Sequence, residues 1–239
     1  SGTAQVGQTL TCNAGTFTDI DSDSENTGAR TWQWFNGTSA IGGATATTWV
    51  IPQGYAGASI KCQETATAAT WTTSTTSNNS SATTILNSNP VNVTISFSNS
   101  STAHAFTAIT SADDADGGST ITGWSLTATA GSCVNATNST NGNTRYANFT
   151  CTGTTPATPT LNITFTDASS ASNSTTSTNA YPDHNATLTG ITITGTAQVG
   201  QTLTCNAGTF TDIDSDTENT GARTWQWFNG TAAISGATT

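Results

Sequence analysis

Methionine is absent from this chain, and lysine occurs once, at Lys61. Charged residues fill 8% of the 239 positions, against about 25% in ordinary soluble proteins. Four Lys and Arg face 14 Asp and Glu, a net charge of −10. Four cations cannot build a basic patch, so nucleic acid is not expected as a partner. An anionic membrane surface is disfavoured for the same reason. No apolar run nears the roughly 18 residues needed to cross a bilayer, so membrane insertion is not expected either. Histidine occurs only at His104 and His184. Neither candidate base lies in a nucleophile motif, and the chain reads as no enzyme. Cys-x-x-C is missing as well, which with two histidines argues against zinc. Lys61 alternates outward on its strand, so a Lys–Asn crosslink is not expected.

What is abundant is hydroxyl and amide. Ser and Thr together number 83 and Asn 21. Such a composition can mean disorder. Seven Trp, eight Phe and short alternating apolar runs argue for a fold instead, and Thr is a β-branched strand former. The second abundance is internal repetition. Residues 1–46 return as 194–239 with 41 of 46 positions identical, at an offset of 193. The exceptions are Ser1/Thr194, Ser24/Thr217, Ser39/Ala232, Gly42/Ser235 and Ala46/Thr239. A repeat this faithful decides architecture before any other signal. The expectation is one period of a tandem array plus the start of the next, a window on a longer polypeptide.

Five cysteines would normally signal a free thiol. The repeat resolves the odd count: Cys205 is the copy of Cys12, whose candidate partner is Cys62, 50 residues on. The partner of Cys205 is then expected outside the window. Cys133 and Cys151 remain as a second pair, and both pairs fit an oxidising, extracellular compartment.

Three stretches follow. Residues 1–87 alternate as strands at Gln8–Cys12, Thr31–Phe35, Thr48–Ile51 and Ser59–Gln63, with another from Trp71. Asn36-Gly37 is a hairpin-turn signal. Residues 88–185 alternate at Val91/Val93/Ile95/Phe97 and at Leu161/Ile163/Phe165, with further strands around Trp124/Leu126 and Phe149/Cys151. Residues 186–239 begin the next repeat, 186–194 reading as one strand leading into it. Its inner face should carry Leu203, Cys205, Trp225 and Trp227, with covering strands still to come. Helical periodicity is absent. Asn87–Pro90 and Pro182–Asn185 are the linkers, short enough to favour a stiff end-to-end arrangement.

Cys12, then Trp32/Trp34, then Cys62 has the order of an immunoglobulin-type sandwich, although Ile60 stands where a tyrosine is expected two residues before the second Cys. Gly-Thr-Ala-Gln-Val-Gly-Gln-Thr-Leu-Thr, Gly-Thr-Phe-Thr-Asp, Trp-Gln-Trp-Phe-Asn-Gly, Ile-Gly-Gly-Ala-Thr and Tyr-Ala-Gly-Ala-Ser-Ile-Lys follow in that order. Over residues 1–70 and 190–239 the chain resembles the Ig-like tandem repeats of large prokaryotic surface proteins and adhesins. The resemblance implies an all-β chain of tandem immunoglobulin-like β-sandwich domains.

Two kinds of site are expected. Asn-x-Ser/Thr occurs at Asn36, Asn78, Asn79, Asn92, Asn99, Asn135, Asn138, Asn148, Asn162, Asn173, Asn185 and Asn229. Strand phase places Asn92, Asn148 and Asn162 toward solvent, and a turn does the same for Asn36, as N-linked glycans require. Asp19, Asp21, Asp23 and Glu25 alternate as in part of a calcium loop, and recur as Asp212, Asp214, Asp216 and Glu218. Asp113-Asp114-Ala115-Asp116-Gly117-Gly118 is a second acidic loop. The two histidines read as inert loop residues. The whole reads as an extracellular, glycosylated, disulfide-bonded structural repeat protein that builds a surface filament by contacts with itself. The alternative is an adhesin or carbohydrate-binding stalk module using Phe35 or Trp71.

Overall fold

The computed structural model describes residues 1–69, 75–153 and 157–238. Among these the chain is all-β, interrupted only by the 3-10 turns Thr27–Ala29, Gly118–Thr120 and Thr220–Ala222. All strand ladders are antiparallel. The strand expected from Trp71 starts outside the described residues.

In the first unit the strands are β1 (Thr9–Thr11), β2 (Thr31–Asn36), β3 (Ser39–Ala40), β4 (Thr48–Val50), β5 (Ser59–Thr67), β6 (Thr75–Asn79) and β7 (Thr83–Thr84). β1 pairs with β4, while the other sheet runs β3-β2-β5-β6 with β7 also on β5. Ser80 fills the break between β6 and β7: it donates its N–H to the Cys62 carbonyl and accepts the Cys62 N–H on Oγ at 3.0 Å. Alternation drives the packing. Leu10, Trp34, Ile51 and Ile60 turn inward with Val6 and Ile85 to form one core, and Trp34 stacks on Trp49 at 5.9 Å. The hairpin turn sits one residue later than Asn36-Gly37. Asn36 closes β2 opposite Ser39, and Gly37 and Thr38 make the turn. Gly37 supplies the positive φ, 59°, that a two-residue hairpin needs.

The middle unit contains β8 (Val91–Asn99), β9 (Ala105–Asp113), β10 (Ile121–Ala128), β11 (Ser132–Asn141), β12 (Thr144–Thr152), β13 (Thr160–Asp167) and β14 (Ser172–Thr178). Its sheets run β11-β12-β9-β8 and β10-β13-β14. Phe106 and Phe149 from the first and Leu161, Ile163 and Phe165 from the second meet in one core. Tyr181, from the segment after β14, closes it, with its ring 5.0 Å from Phe106 and its hydroxyl donating to the Ala130 carbonyl at 3.0 Å. The alternation of β8 fails at its start. The register shifts between Val91 and Thr94, Asn92 takes φ 52°, and Val91 is exposed. One extra residue in a strand reverses the phase of everything before it.

The third segment has β15 (Thr187–Thr189), β16 (Thr192–Gly195), β17 (Leu203–Asn206), β18 (Thr209–Thr211), β19 (Phe228–Asn229) and β20 (Ala232–Ala233). Residues 186–194 form two strands rather than one, broken at Gly190, whose φ is 73°. β15 pairs with β18 and β16 with β17. The inner face expected here is only partly covered. Leu203 is exposed, and Cys205, Trp225 and Trp227 are half-buried. An open cleft of about 340 Å³ is lined by Leu188, Ile191, Cys205 and Trp225.

Candidate functional site: the unit junctions

The cysteines are built in two different ways. Cys12 and Cys62 are bonded, with Cα atoms 6.0 Å apart, joining the end of β1 in one sheet to β5 in the other. Cys133 and Cys151 are bonded directly across β11 and β12, where they are register partners, at a Cα separation of 4.0 Å. Cys205 is free and half-buried. Cys133 is the one residue of β11 that is not exposed, and it packs against the middle unit's core.

Eleven of the twelve sequon asparagines are exposed: Asn36, Asn78, Asn79, Asn92, Asn99, Asn135, Asn138, Asn162, Asn173, Asn185 and Asn229. The exception is Asn148, which strand phase put in solvent. It is half-buried in β12, between β11 and β9, and its Oδ1 is buried with no hydrogen-bond partner. A central strand with cross-strand neighbours on both sides covers even its polar phase. Asn173 is exposed but engaged, donating Nδ2 to the Pro90 carbonyl at 3.1 Å.

The calcium set does not assemble. Asp19 turns its Oδ1 onto the N–H groups of Asp21 and Asp23, at 2.9 and 3.4 Å. Glu25 leaves the loop to pair with Arg30, which also binds Glu64. The Arg30 guanidinium holds the Glu25 carboxyl below its usual range. Among the described residues no three His, Cys, Asp or Glu converge as metal ligands. With Glu25 drawn onto Arg30 and Asp19 turned onto its own loop, the four carboxylates are not gathered into one ligand set.

The Asp113–Gly118 loop and the repeated loop Asp212–Asp216 have a different employment, at the boundaries between units. At the first boundary Ser88 sits on two buried carboxylates. Its hydroxyl shares its one proton between Asp114 Oδ1 and Asp116 Oδ2, the latter at 2.9 Å, and its N–H donates to Asp116 Oδ2 at 2.5 Å. Asn87 donates Nδ2 to the buried Asp167 at 2.7 Å and accepts from Gln5 Nε2 at 2.9 Å. Gln53 donates to the Asp116 carbonyl at 2.6 Å. Ala115 packs against the first unit's core. Gly7 lies so close to Ala115 that a Cβ there would stand 2.9 Å from the alanine methyl. Burial pushes the Asp114 carboxyl up, against the pull of its hydrogen bond from Ser88.

At the second boundary the two histidines converge on one carboxylate. Asp214 is buried. It accepts the N–H of His104 on Oδ1 at 3.0 Å and the N–H of His184 on Oδ2. The His184 ring adds Nδ1 contacts of 3.2 and 3.0 Å to the two oxygens, while its Nε2 meets the Ser100 carbonyl at 3.1 Å. His104 Nε2 lies 3.2 Å from the Asp214 carbonyl. His104 takes a left-handed φ of 43°, one residue before β9. The hydrogen bond the His184 ring donates to the Asp214 side chain, the Ser100 carbonyl and the charges of Asp214 and Asp183 hold His184 above its ordinary value. Burial works against the charge on Asp214. The His184 and His104 N–H groups and the His184 ring outweigh it, keeping the carboxyl below its usual range.

Sequence reasoning passed over His104 and His184 because a lone loop histidine carries no local signal. What could have found them is their placement. They are the only two histidines, one beside β9 and one in the linker, and the acidic loop follows 30 residues after His184. Asn87, Ser88, Gln53 and Asp167 carried no comparable mark. Comparison of the chain with protein-family models, curated proteins and solved structures finds no match.

Proposed function

We propose that this chain is a structural module of an extracellular tandem-repeat protein, in which immunoglobulin-like β-sandwiches follow one another to build a cell-surface filament. The observation that carries the reading is the 193-residue repeat of 41 identities in 46, combined with the pinned connectors. Asn87 and Ser88 are held by Gln5, Asp114, Asp116 and Asp167, and His184 by Asp214. A connector held from both sides transmits force between units, whereas a free one absorbs it. Each disulfide limits how far its unit can be drawn out. Low charge and a single lysine leave few sites for trypsin-like proteases, and glycans on the exposed asparagines would shield the chain further.

Both histidines are committed to Asp214 or to carbonyls, which supports a joining role over a catalytic one. The binding-module alternative has less behind it. Phe35 is half-buried with the Lys61 ammonium 5.7 Å from its ring centre, and Trp71 lies outside the described residues. Denaturing electrophoresis of the native material after reduction tests the array. A very large covalent species supports it, and a band near 24.2 kDa plus glycan would sink it.

A further inference from the structure

The repeat places the same acidic loop in the molecule twice, with its central aspartate buried in one copy and exposed in the other. Asp19–Asp23 and Asp212–Asp216 both read Asp-Ile-Asp-Ser-Asp. They fold alike. Asp19 Oδ1 accepts the Asp21 N–H at 2.9 Å, as Asp212 Oδ1 accepts that of Asp214 at 2.7 Å. Ser22 and Ser215 take left-handed φ values of 63° and 65°. Yet Asp214 is buried under His104 and His184, while its twin Asp21 is exposed. The neighbouring isoleucine reports the same cover: Ile213 is 52% exposed and Ile20 is 97%. So the loop is shaped before it is engaged, and engagement buries it.

The opposite pole of the repeat shows the reverse. Gly7 lies against Ala115 of the middle unit, whereas a Cβ at its twin Gly200 would meet nothing within 4 Å. Each copy therefore uses the pole that the other leaves open. The middle unit carries a complement to each: its Asp113–Gly118 loop at one end, His104 and His184 at the other. Among the described residues the Lys and Arg side chains all have partners elsewhere. Arg30 and Arg223 are paired with glutamates, Arg145 lies over Trp124 and Lys61 over Phe35.

We propose that the Asp19–Asp23 loop is a docking surface for the histidine-bearing end of a second copy of the middle unit, one that precedes it in the same polypeptide. The placement in one polypeptide rests on the tandem-array reading. Covalent linkage makes the contact intramolecular, so a small interface of a few charge-assisted hydrogen bonds suffices. Joined in this way, every middle unit would grip a repeat at both ends, and the same two contacts would recur along the array.

The test is a polypeptide in which residues 88–193 are joined ahead of residue 1 of the full chain. It holds four histidines, which NMR titration resolves. Both copies of His184 should titrate above the ordinary histidine value. Asp21→Asn should lower only the added His184 toward that value, and Asp214→Asn only the original one. Hydrogen exchange at the added His184 N–H should be slowed by about tenfold or more, and the slowing lost in Asp21→Asn. An added His184 that titrates ordinarily and exchanges freely, with or without Asp21, would overturn the proposal. Self-association of unextended chains abolished by Asp21→Asn would place the partner on a separate molecule and overturn the tandem placement. A very large native species combined with ordinary titration sinks this docking alone. A native band near 24.2 kDa sinks the array, while the recombinant titration still reports on the loop.

Discussion

At the residue scale the duplicated segment is an internal control, because identical side chains occur in two settings. Val6 is 1% exposed in the first core, while Val199, its copy, is fully exposed. Val6→Ala should therefore destabilise the first unit by about 1.5–3 kcal/mol, read as faster exchange of the Ile60 and Cys62 amides. Val199→Ala should stay within about 0.5 kcal/mol of the parent; equal effects at the two sites would refute the burial argument. Asp114 makes a second case. A carboxyl whose folded pKa is raised contributes most below the ordinary carboxylate value, and that contribution is lost as pH rises through the raised value. Asp114→Asn keeps an oxygen for Ser88 and removes the buried charge. It should stabilise the chain by about 1 kcal/mol or more at pH 8 and give no gain at pH 4. Thermal melts at both pH values check the sign.

At the element scale the two disulfides do different work. Cys12–Cys62 spans 50 residues between sheets, and Cys133–Cys151 spans 18 between strands that are already hydrogen-bonded. Chain entropy gives about 4 and 3 kcal/mol respectively. In single-molecule pulling, reduction should release about 170 Å of hidden length from the first unit and about 60 Å from the middle one, at roughly 3.4 Å per residue. A pulling trace unchanged by reductant would show that the bonds carry no load. Glycan occupancy is also decided here. Glycopeptide analysis should find sugar at Asn36 and Asn162 and a bare Asn148, since the last is half-buried within a central strand. Strand phase alone ranked Asn148 with Asn162. Phase gives the face of a strand, and the neighbours on that face decide its access.

At the scale of the whole molecule the junction of middle and third units should depend on pH in both directions. The raised His184 contributes fully below its ordinary 6.5 and is lost as pH rises through its elevated value. The depressed Asp214 contributes above its ordinary 3.8 and is lost as pH falls through its lowered value. The pair thus holds from below 3.8 to above 6.5. Small-angle scattering should give a constant radius of gyration across that window and a larger one beyond either edge. Asp214→Asn should remove the dependence; a profile indifferent to that substitution would place the hinge elsewhere.

What the sequence determined by itself is what local chemistry can enforce. The hairpin around Gly37 recurs around Gly230, with φ 59° in both. Gln33 locks it by donating to the carbonyls of Trp34, Ile41 and Ala44, and Gln226 does the same to Trp227, Ile234 and Ala237. The capped acidic loop and the Arg30–Glu25 pair, repeated as Arg223–Glu218, also form in both settings. All of these close over a few residues, so they need no distant partner. Strand positions and the repeat were readable for the same reason. Only the tertiary structure decided which of these features matter. It buried Val6 and exposed Val199, covered Asn148, and drew two distant histidines onto Asp214 rather than gathering aspartates for a metal. Burial and pairing across units are long-range events, and identical letters take different fates according to what packs against them.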